Sequence, residues 1–443
     1  MKKLLTGLGA LVALLALALG LLSLRWYPAR PAALPRLEAV ARGAGPFMAG
    51  AAAAGLSPPR RVPVAGFPHL QWMAEGERDP VAVRALVLRD ATCTFALVSA
   101  EILLVPGDFT RALERALADL KLDGVVVGAT HTHAGPGGYW DEPIGERFAT
   151  GPYDRATFEY LVERAADAVR EATRALEPAS LEVARGLVPE LARNRGSGEV
   201  DGRLVRGTFV GRGGRPIAEI ILYPAHATLL GPANRLISGD WPGALMREGS
   251  EPVLFFQGAL GDQAPRMPRG EPANPEVYAR ALRERLLALP PAPLDPSPEL
   301  ALATARVVLP PPELGASPAW LGGLLRNVLY RLLPGAARVM ALRVGNLVLI
   351  AIPGEPVAEV GREFRALAGE GSEILALAGD YLGYVETSEH MEQASGETVH
   401  TYYGPGLAAR LALGVKAASQ ALQDPAGSSA GTGPGVVPAG RGR

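Results

Sequence analysis

Short apolar runs recur along the chain at 81–88, 94–99, 124–128, 218–223, 253–256, 347–352 and 374–377, most of them bounded by glycine, proline or charged residues. They predict β-strands. Helical periodicity fills several of the intervals. In 110–120, Ala112, Leu113, Ala116, Leu117 and Leu120 fall on one face, and 158–176 and 407–422 repeat the pattern. Strands alternating with amphipathic helices predict an α/β fold of mixed β-sheets covered by helices, spanning residues 46–424. No internal repeat is visible.

The ends of the chain read differently. Lys2 and Lys3 precede 21 uncharged residues, Leu4 to Leu24. This is a secretion signal long enough to cross a bilayer, with its N-terminus cytoplasmic. No A-x-A site directly follows, which favours a retained signal anchor over cleavage. Residues 25–45, rich in Pro, Ala and Arg, form a tether, and 425–443 is a Gly/Ser/Pro-rich tail expected to be disordered. The expected location is therefore exported, either anchored in the membrane by the N-terminal helix or released to the periplasm or beyond.

Composition narrows the chemistry. The 443 residues are 48% hydrophobic and 20% charged, enough for a sizeable core. A net charge of −1 gives no reason to expect a nucleic-acid partner. Cys93 is the single cysteine, so an intrachain disulfide framework and a cysteine metal cluster are excluded. It reads as a buried small hydrophobe.

The most informative segment, THTHAGPGGY, follows the run 124–128. On a strand, residues i and i+2 share a face, so His131 and His133 can aim two imidazoles into one pocket. The Gly/Pro loop behind them would let backbone N–H groups approach a ligand. Three other predicted strand ends carry ligand-type side chains: His226 after 218–223, Glu355 after 347–352, and Tyr384 after 374–377. Each has a bland reading alone. A histidine can be a solvated turn residue, Glu355 beside Pro356 a helix cap, and Tyr384 packing. Together they gain weight, because sites in α/β sheets gather beyond the carboxyl ends of strands. Imidazole nitrogen, carboxylate and phenolate oxygen suit zinc, at about 2.0–2.2 Å for nitrogen and carboxylate. Zinc with an open position acidifies water to a pKa of about 7 and polarises a carbonyl, giving a hydrolase without a serine or cysteine nucleophile.

With these residues in view the chain resembles the neutral/alkaline non-lysosomal ceramidase family, in its catalytic N-terminal domain. The likeness lies in the histidine segment, residues 83–88, Asn194-Arg195, 223–228, Gly239-Asp240, 256–265, 353–355, Gly383-Tyr384-Val385 and Gly404-Pro405, in the family's order. The resemblance implies one Zn2+ held by His131, His226, Glu355 and Tyr384, with His133 and Arg195 lining the substrate amide pocket. It implies hydrolysis of the N-acyl amide of ceramide or a related lipid. Arg195 or a protonated His133 would stabilise the oxyanion, and His133 would carry a proton to the departing amine. Two departures matter. Ala264 stands where the family usually has a serine implicated in catalysis, which excludes a serine nucleophile there. The chain also ends soon after Gly404-Pro405, too early for the immunoglobulin-like domain of the family's long enzymes. The alternatives are a hydrolase of another amide or ester, and a catalytically inactive lipid-binding homologue.

Other residues have lesser expectations. Asp240 and Asp262 lie in Gly-flanked loops and read as turn formers, or else as acids that bond a ligand histidine. His69, His390 and His400 read as loop or surface residues. Residues 318–333 place Trp320, Leu321, Leu324, Leu325, Val328, Leu329 and Leu332 at helical spacing, with Arg326 and Arg331 opposite. Such a helix either packs on the core or lies in a lipid interface. The expected partners are a lipid or N-acyl amide substrate and a membrane surface; no protein partner is inferred.

Overall fold

The computed structural model describes residues 30–423 apart from 44, 68–71, 291 and 315–318, together with five residues between 12 and 20. The expected leader as a segment, the tail beyond 424 and His69 lie outside the described residues, as do the side chains of Trp320, Leu321, Leu324 and Leu325. Among the described residues no helix is long and apolar enough to cross a membrane.

Six strands position the site: β1 (Thr94–Ala100), β2 (Gly124–Ala129), β3 (Pro216–Tyr223), β4 (Val253–Gln257), β5 (Leu347–Ala351) and β6 (Ser372–Leu375). They belong in pairs to three five-stranded sheets. The first runs β2–β1 and then Ala82–Arg89, Met48–Gly55 and Glu177–Pro178. The second runs β4–β3 and then Arg203–Val210, Ser180–Leu187 and Leu294–Asp295. The third runs Arg36–Arg42, Leu300–Val308, Ala336–Val344 and then β5–β6. In every sheet the labelled pair is parallel and lies at one edge, while the other pairings are antiparallel. The expected mixed α/β architecture is observed.

Alternate residues of these strands enter different cores, as the two-residue period requires. Leu86, Leu88, Phe95, Leu97 and Val126 of the first sheet meet Ile220, Leu222 and Phe256 of the second and Leu302, Leu342 and Leu349 of the third in one layer. Their neighbours Val83, Ala85, Val87, Ala96 and Val98 face the opposite way, toward Phe109 of helix Gly107–Ala116 and Leu161 and Val169 of helix Arg155–Arg174. On the outer face of the second sheet, Ile221, Tyr223 and Phe255 pack with Trp241, Leu245, Tyr278 and Leu282. Strands buried on both faces read as unbroken apolar runs, which is why these were visible in the sequence.

Several strands were not predicted, among them Met48–Gly55, Leu300–Val308 and Ala336–Val344. They are rich in alanine, which is a poor strand former, so pairing and burial impose the conformation. The small residues have a packing role. A Cβ on Gly50 would lie 2.3 Å from the Ala172 carbonyl oxygen, so its absence lets helix Arg155–Arg174 approach the sheet. The predicted helix 110–120 instead begins at Gly107 and ends at Ala116, and a 3-10 turn, Ala118–Leu120, follows.

Candidate metal centre

The carboxyl ends of the three parallel pairs open on one place. The chain leaves the first sheet at Ala129, where Thr130 N donates to Ala100 O (2.9 Å) and His131 N to Ile102 O (3.1 Å). His131 then takes a positive φ of 65°, a conformation costly for a residue with a Cβ and concentrated at functional sites. The two histidines are therefore aimed by a turn, not by the i, i+2 rule of a strand. The loop behind them also differs from expectation. Gly137 N donates to Pro63 O (2.7 Å) and Gly138 N to Thr150 O (2.6 Å), so these N–H groups are used within the fold and are not offered to a ligand.

His131, His226, Glu355 and Tyr384 come together, with His133 and Arg195 beside them. Nδ1 of His131 lies 2.7 Å from Leu103 O, and Nδ1 of His226 lies 2.8 Å from Gln263 O. A carbonyl only accepts, so each Nδ1 carries a proton, and in the neutral ring Nε2 is the atom left with a lone pair. Glu355 Oε2 lies 3.4 Å from His131 Nε2 and 3.2 Å from His226 Nε2. Tyr384 Oη is 3.0 Å from His226 Nε2. A tetrahedron with arms of about 2.0–2.1 Å has edges of roughly 3.3 Å, so these separations suit four ligands of one small cation. Glu355 is 1% exposed and its Oε2 has no hydrogen-bond partner, a buried acceptor that a cation would satisfy. The other carboxylate oxygen accepts from Tyr381 Oη (2.8 Å). Glu355 caps no helix; the following helix, Ala358–Ala368, has Val357 at its cap position.

His133 is placed otherwise. Its Nε2 is 3.1 Å from His131 Nε2, close enough that His131, His133 and His226 also form a possible metal triad. Its Nδ1, however, is buried without a partner, so no carbonyl fixes this ring as it fixes the other two. Burial, with His131 and His226 alongside, holds the His133 pKa well below the ordinary histidine value. Burial and the Arg195 charge bring that of His226 to about 4. Both rings are neutral at pH 7, as metal ligation or proton acceptance requires.

Arg195 Nη2 donates to Tyr384 Oη (3.1 Å) and to Gly261 O, and Nη1 lies 3.4 Å from His226 Nε2. Its Nε donates to Glu397 Oε1 (2.9 Å). Burial works against the guanidinium charge, but Tyr384 and Glu397 more than offset it and raise its pKa. Burial, together with the Glu355 charge, pushes the Tyr384 phenol well above its usual range.

Sequence reasoning missed Tyr381, Glu397 and Gln257, whose type and position carry no local signal of ligation. His400, expected at the surface, packs its ring 5.1 Å from that of Tyr384 and places Nδ1 3.0 Å from Glu397 Oε2. It is half exposed yet part of the site's edge, because the loop before Gly404 folds back over Gly383, whose missing Cβ would meet Tyr402 and the His400 carbonyl. His390 pairs instead with Glu386 (2.9 Å). Asp262 accepts from Ala358 N (2.9 Å) and Gln263 Nε2 (2.8 Å), and Asp240 accepts from Trp241 N (2.6 Å) and Leu230 N (3.1 Å). Both bind backbone or neighbouring amides, as turn-forming acids do. Ala264 is buried beside Gln263, and Cys93 is buried and free.

Three mixed sheets with a histidine–carboxylate cluster at their parallel edges define an α/β protein with a candidate metal centre. Residues 48–248 match the model described as neutral/alkaline non-lysosomal ceramidase, N-terminal. It is 29% identical over 183 residues to a neutral ceramidase of Mycobacterium tuberculosis, covering 35% of this chain and 28% of that protein. It is 25% identical over 166 residues to a neutral ceramidase of Pseudomonas aeruginosa, covering 33% and 25%. The matched segments thus span only about a quarter of either relative. The fold resembles the crystal structure of neutral ceramidase from Pseudomonas aeruginosa, with a TM-score of 0.72 at 18% identity over 88% of this chain and 77% of that one. It resembles a ceramidase complexed with C2 equally, with a TM-score of 0.73 at 18% identity over 86% and 76%. At that identity the likeness is one of fold.

Proposed function

We propose that the chain is a zinc-dependent amidohydrolase that cleaves the N-acyl amide of ceramide or a related lipid. The convergence of His131, His226, Glu355 and Tyr384, with Glu355 Oε2 left without a donor, carries the reading. The donor set fits zinc, and bound zinc would supply Lewis-acid polarisation of the amide carbonyl and acidify a water. The backbone carbonyls of Leu103 and Gln263 hold two imidazoles in the ligating tautomer, and Tyr381 orients the carboxylate. Arg195, kept charged by Glu397, stabilises negative charge on the amide oxygen. His133, neutral and unfixed at Nδ1, accepts a proton from the attacking water and passes it to the leaving amine.

Residues 46–424 form the hydrolase domain in this reading, and 1–24 export it, retained as an anchor or removed. The substrate and the anchor both bring it to a membrane surface. Zinc analysis of the purified protein, paired with hydrolysis of labelled ceramide and a panel of N-acyl amino acids and lipid esters, tests the proposal. Stoichiometric zinc with ceramide turnover supports it. Zinc with turnover of another acyl compound alone supports the second reading, a different amide or ester substrate, which the missing hydroxyl at Ala264 favours. Zinc without turnover on any of them supports an inactive lipid-binding homologue.

A further inference from the structure

Gln257 closes β4 and is completely buried. It is neither a ligand nor an acid or base, yet its carboxamide meets both histidine-bearing segments. Nε2 donates to Thr130 O (2.9 Å) and to Ala225 O (2.8 Å), and Oε1 accepts from Ala225 N (3.2 Å). Thr130 precedes His131, and Ala225 precedes His226. The strands that lead into them, β2 and β3, lie in different sheets and do not pair. Beyond the histidines the two segments are joined by a bridge between Thr132 and Ala227, where His133 N donates to Ala227 O (3.1 Å). Each histidine is thus held from both sides. The backbone extends the connection to the third segment. Gln257 O accepts from Ala376 N (2.9 Å), and the next residue, Leu377, donates its N–H to Gly354 O (2.9 Å), just before Glu355. Leu377 does so with a positive φ of 56°, a second costly backbone conformation beside the site.

We propose that Gln257 is a positioning residue of the metal centre: its carboxamide sets the spacing of the peptide units before His131 and His226, and so the separation of their Nε2 atoms. The inference rests on the reading that those atoms hold a divalent cation. Two carbonyl oxygens aimed at one point repel each other unless a donor lies between them, and the carboxamide is the one group with two donors and an acceptor in that arrangement. Gln257→Met keeps length and bulk but removes both donors. Gln257→Glu sets a carboxylate oxygen against the two carbonyls.

The test is titration of metal-free wild type, Q257M and Q257E with Co2+, followed by visible ligand-field absorption, with thermal unfolding of each metal-free protein alongside. The expected result is Co2+ affinity about 10- to 100-fold weaker in both variants. An altered ligand-field spectrum and metal-free unfolding within a few degrees of wild type should accompany it. Variants that bind Co2+ with wild-type affinity and spectrum overturn the proposal. So do metal-free variants that fail to fold, because they assign Gln257 to the fold as a whole. Wild type that takes up no Co2+ overturns the metal reading itself, which separates that failure from failure of the Gln257 assignment.

Discussion

At the scale of single residues, metal binding would depend on lone pairs and what fixes them. His131 and His226 are held by carbonyls at Nδ1, and Glu355 is held at one oxygen by Tyr381. His226→Ala should lose nearly all bound zinc and all hydrolysis while keeping its far-ultraviolet circular dichroism. Tyr381→Phe keeps the ring against Trp140 but loses the bond to Glu355. Zinc affinity measured by competition with a chelator should fall about 10-fold or more, since partners of ligands usually matter at that level. A pH dependence follows from His226, whose folded pKa of about 4 lies below the ordinary 6.5. Between those values the unfolded chain binds the extra proton, so stability rises with pH and is lost as pH falls from about 6.5 toward 4. The loss is of the order of 3 kcal/mol for the metal-free protein. Urea unfolding of metal-free wild type and His226→Gln at pH 7 and pH 4.5 checks this: the variant should show the weaker dependence, and parallel curves would count against a neutral buried imidazole.

At the scale of elements, the strand ends matter more than the strands. The Val- and Ile-rich runs were legible because they are buried on both faces, and the histidines stood out because a chain with six of them places two in one turn. The alanine-rich strand Met48–Gly55 was not legible, since its conformation comes from pairing with Ala82–Arg89 and not from its own preference. Nor were the roles of Tyr381, Gln257 and Glu397, which depend on segments distant in sequence folding against them. The Gly/Pro loop is legible as a segment of close backbone approach, but the Gly137 and Gly138 N–H groups bond within the fold. Its glycines admit close backbone neighbours: a Cβ on Gly137 would stand 2.2 Å from Thr150 O and 2.9 Å from Pro63 O. Gly137→Ala should therefore destabilise the protein by about 1–3 kcal/mol, as overpacking does, seen as a lower urea midpoint with an unchanged slope. An unaffected midpoint would mean that the loop yields easily.

At the scale of the molecule, the three sheets act as a frame that brings the ends of their parallel edge pairs together. The proposed lipid substrate would also require a route from a membrane. Helix Ala319–Leu332 is the candidate: Leu329 packs into the core while Val328 is 47% exposed. In the domain without its first 24 residues, Leu324→Glu with Leu325→Glu should abolish liposome flotation while leaving hydrolysis of a detergent-dispersed substrate. Flotation that persists with an intact fold removes the helix from the account. The residue at 264 would separate the substrate readings, because Ala264→Ser supplies the hydroxyl that the ceramidase resemblance implies at that position. A large gain on ceramide would mark a chain that had lost that chemistry. The most direct test of the central claim is elemental analysis of the purified protein beside His226→Ala. The account predicts about one zinc per wild-type chain and almost none in the variant. A wild-type chain without zinc after metal loading, or equal zinc in the two proteins, would contradict it.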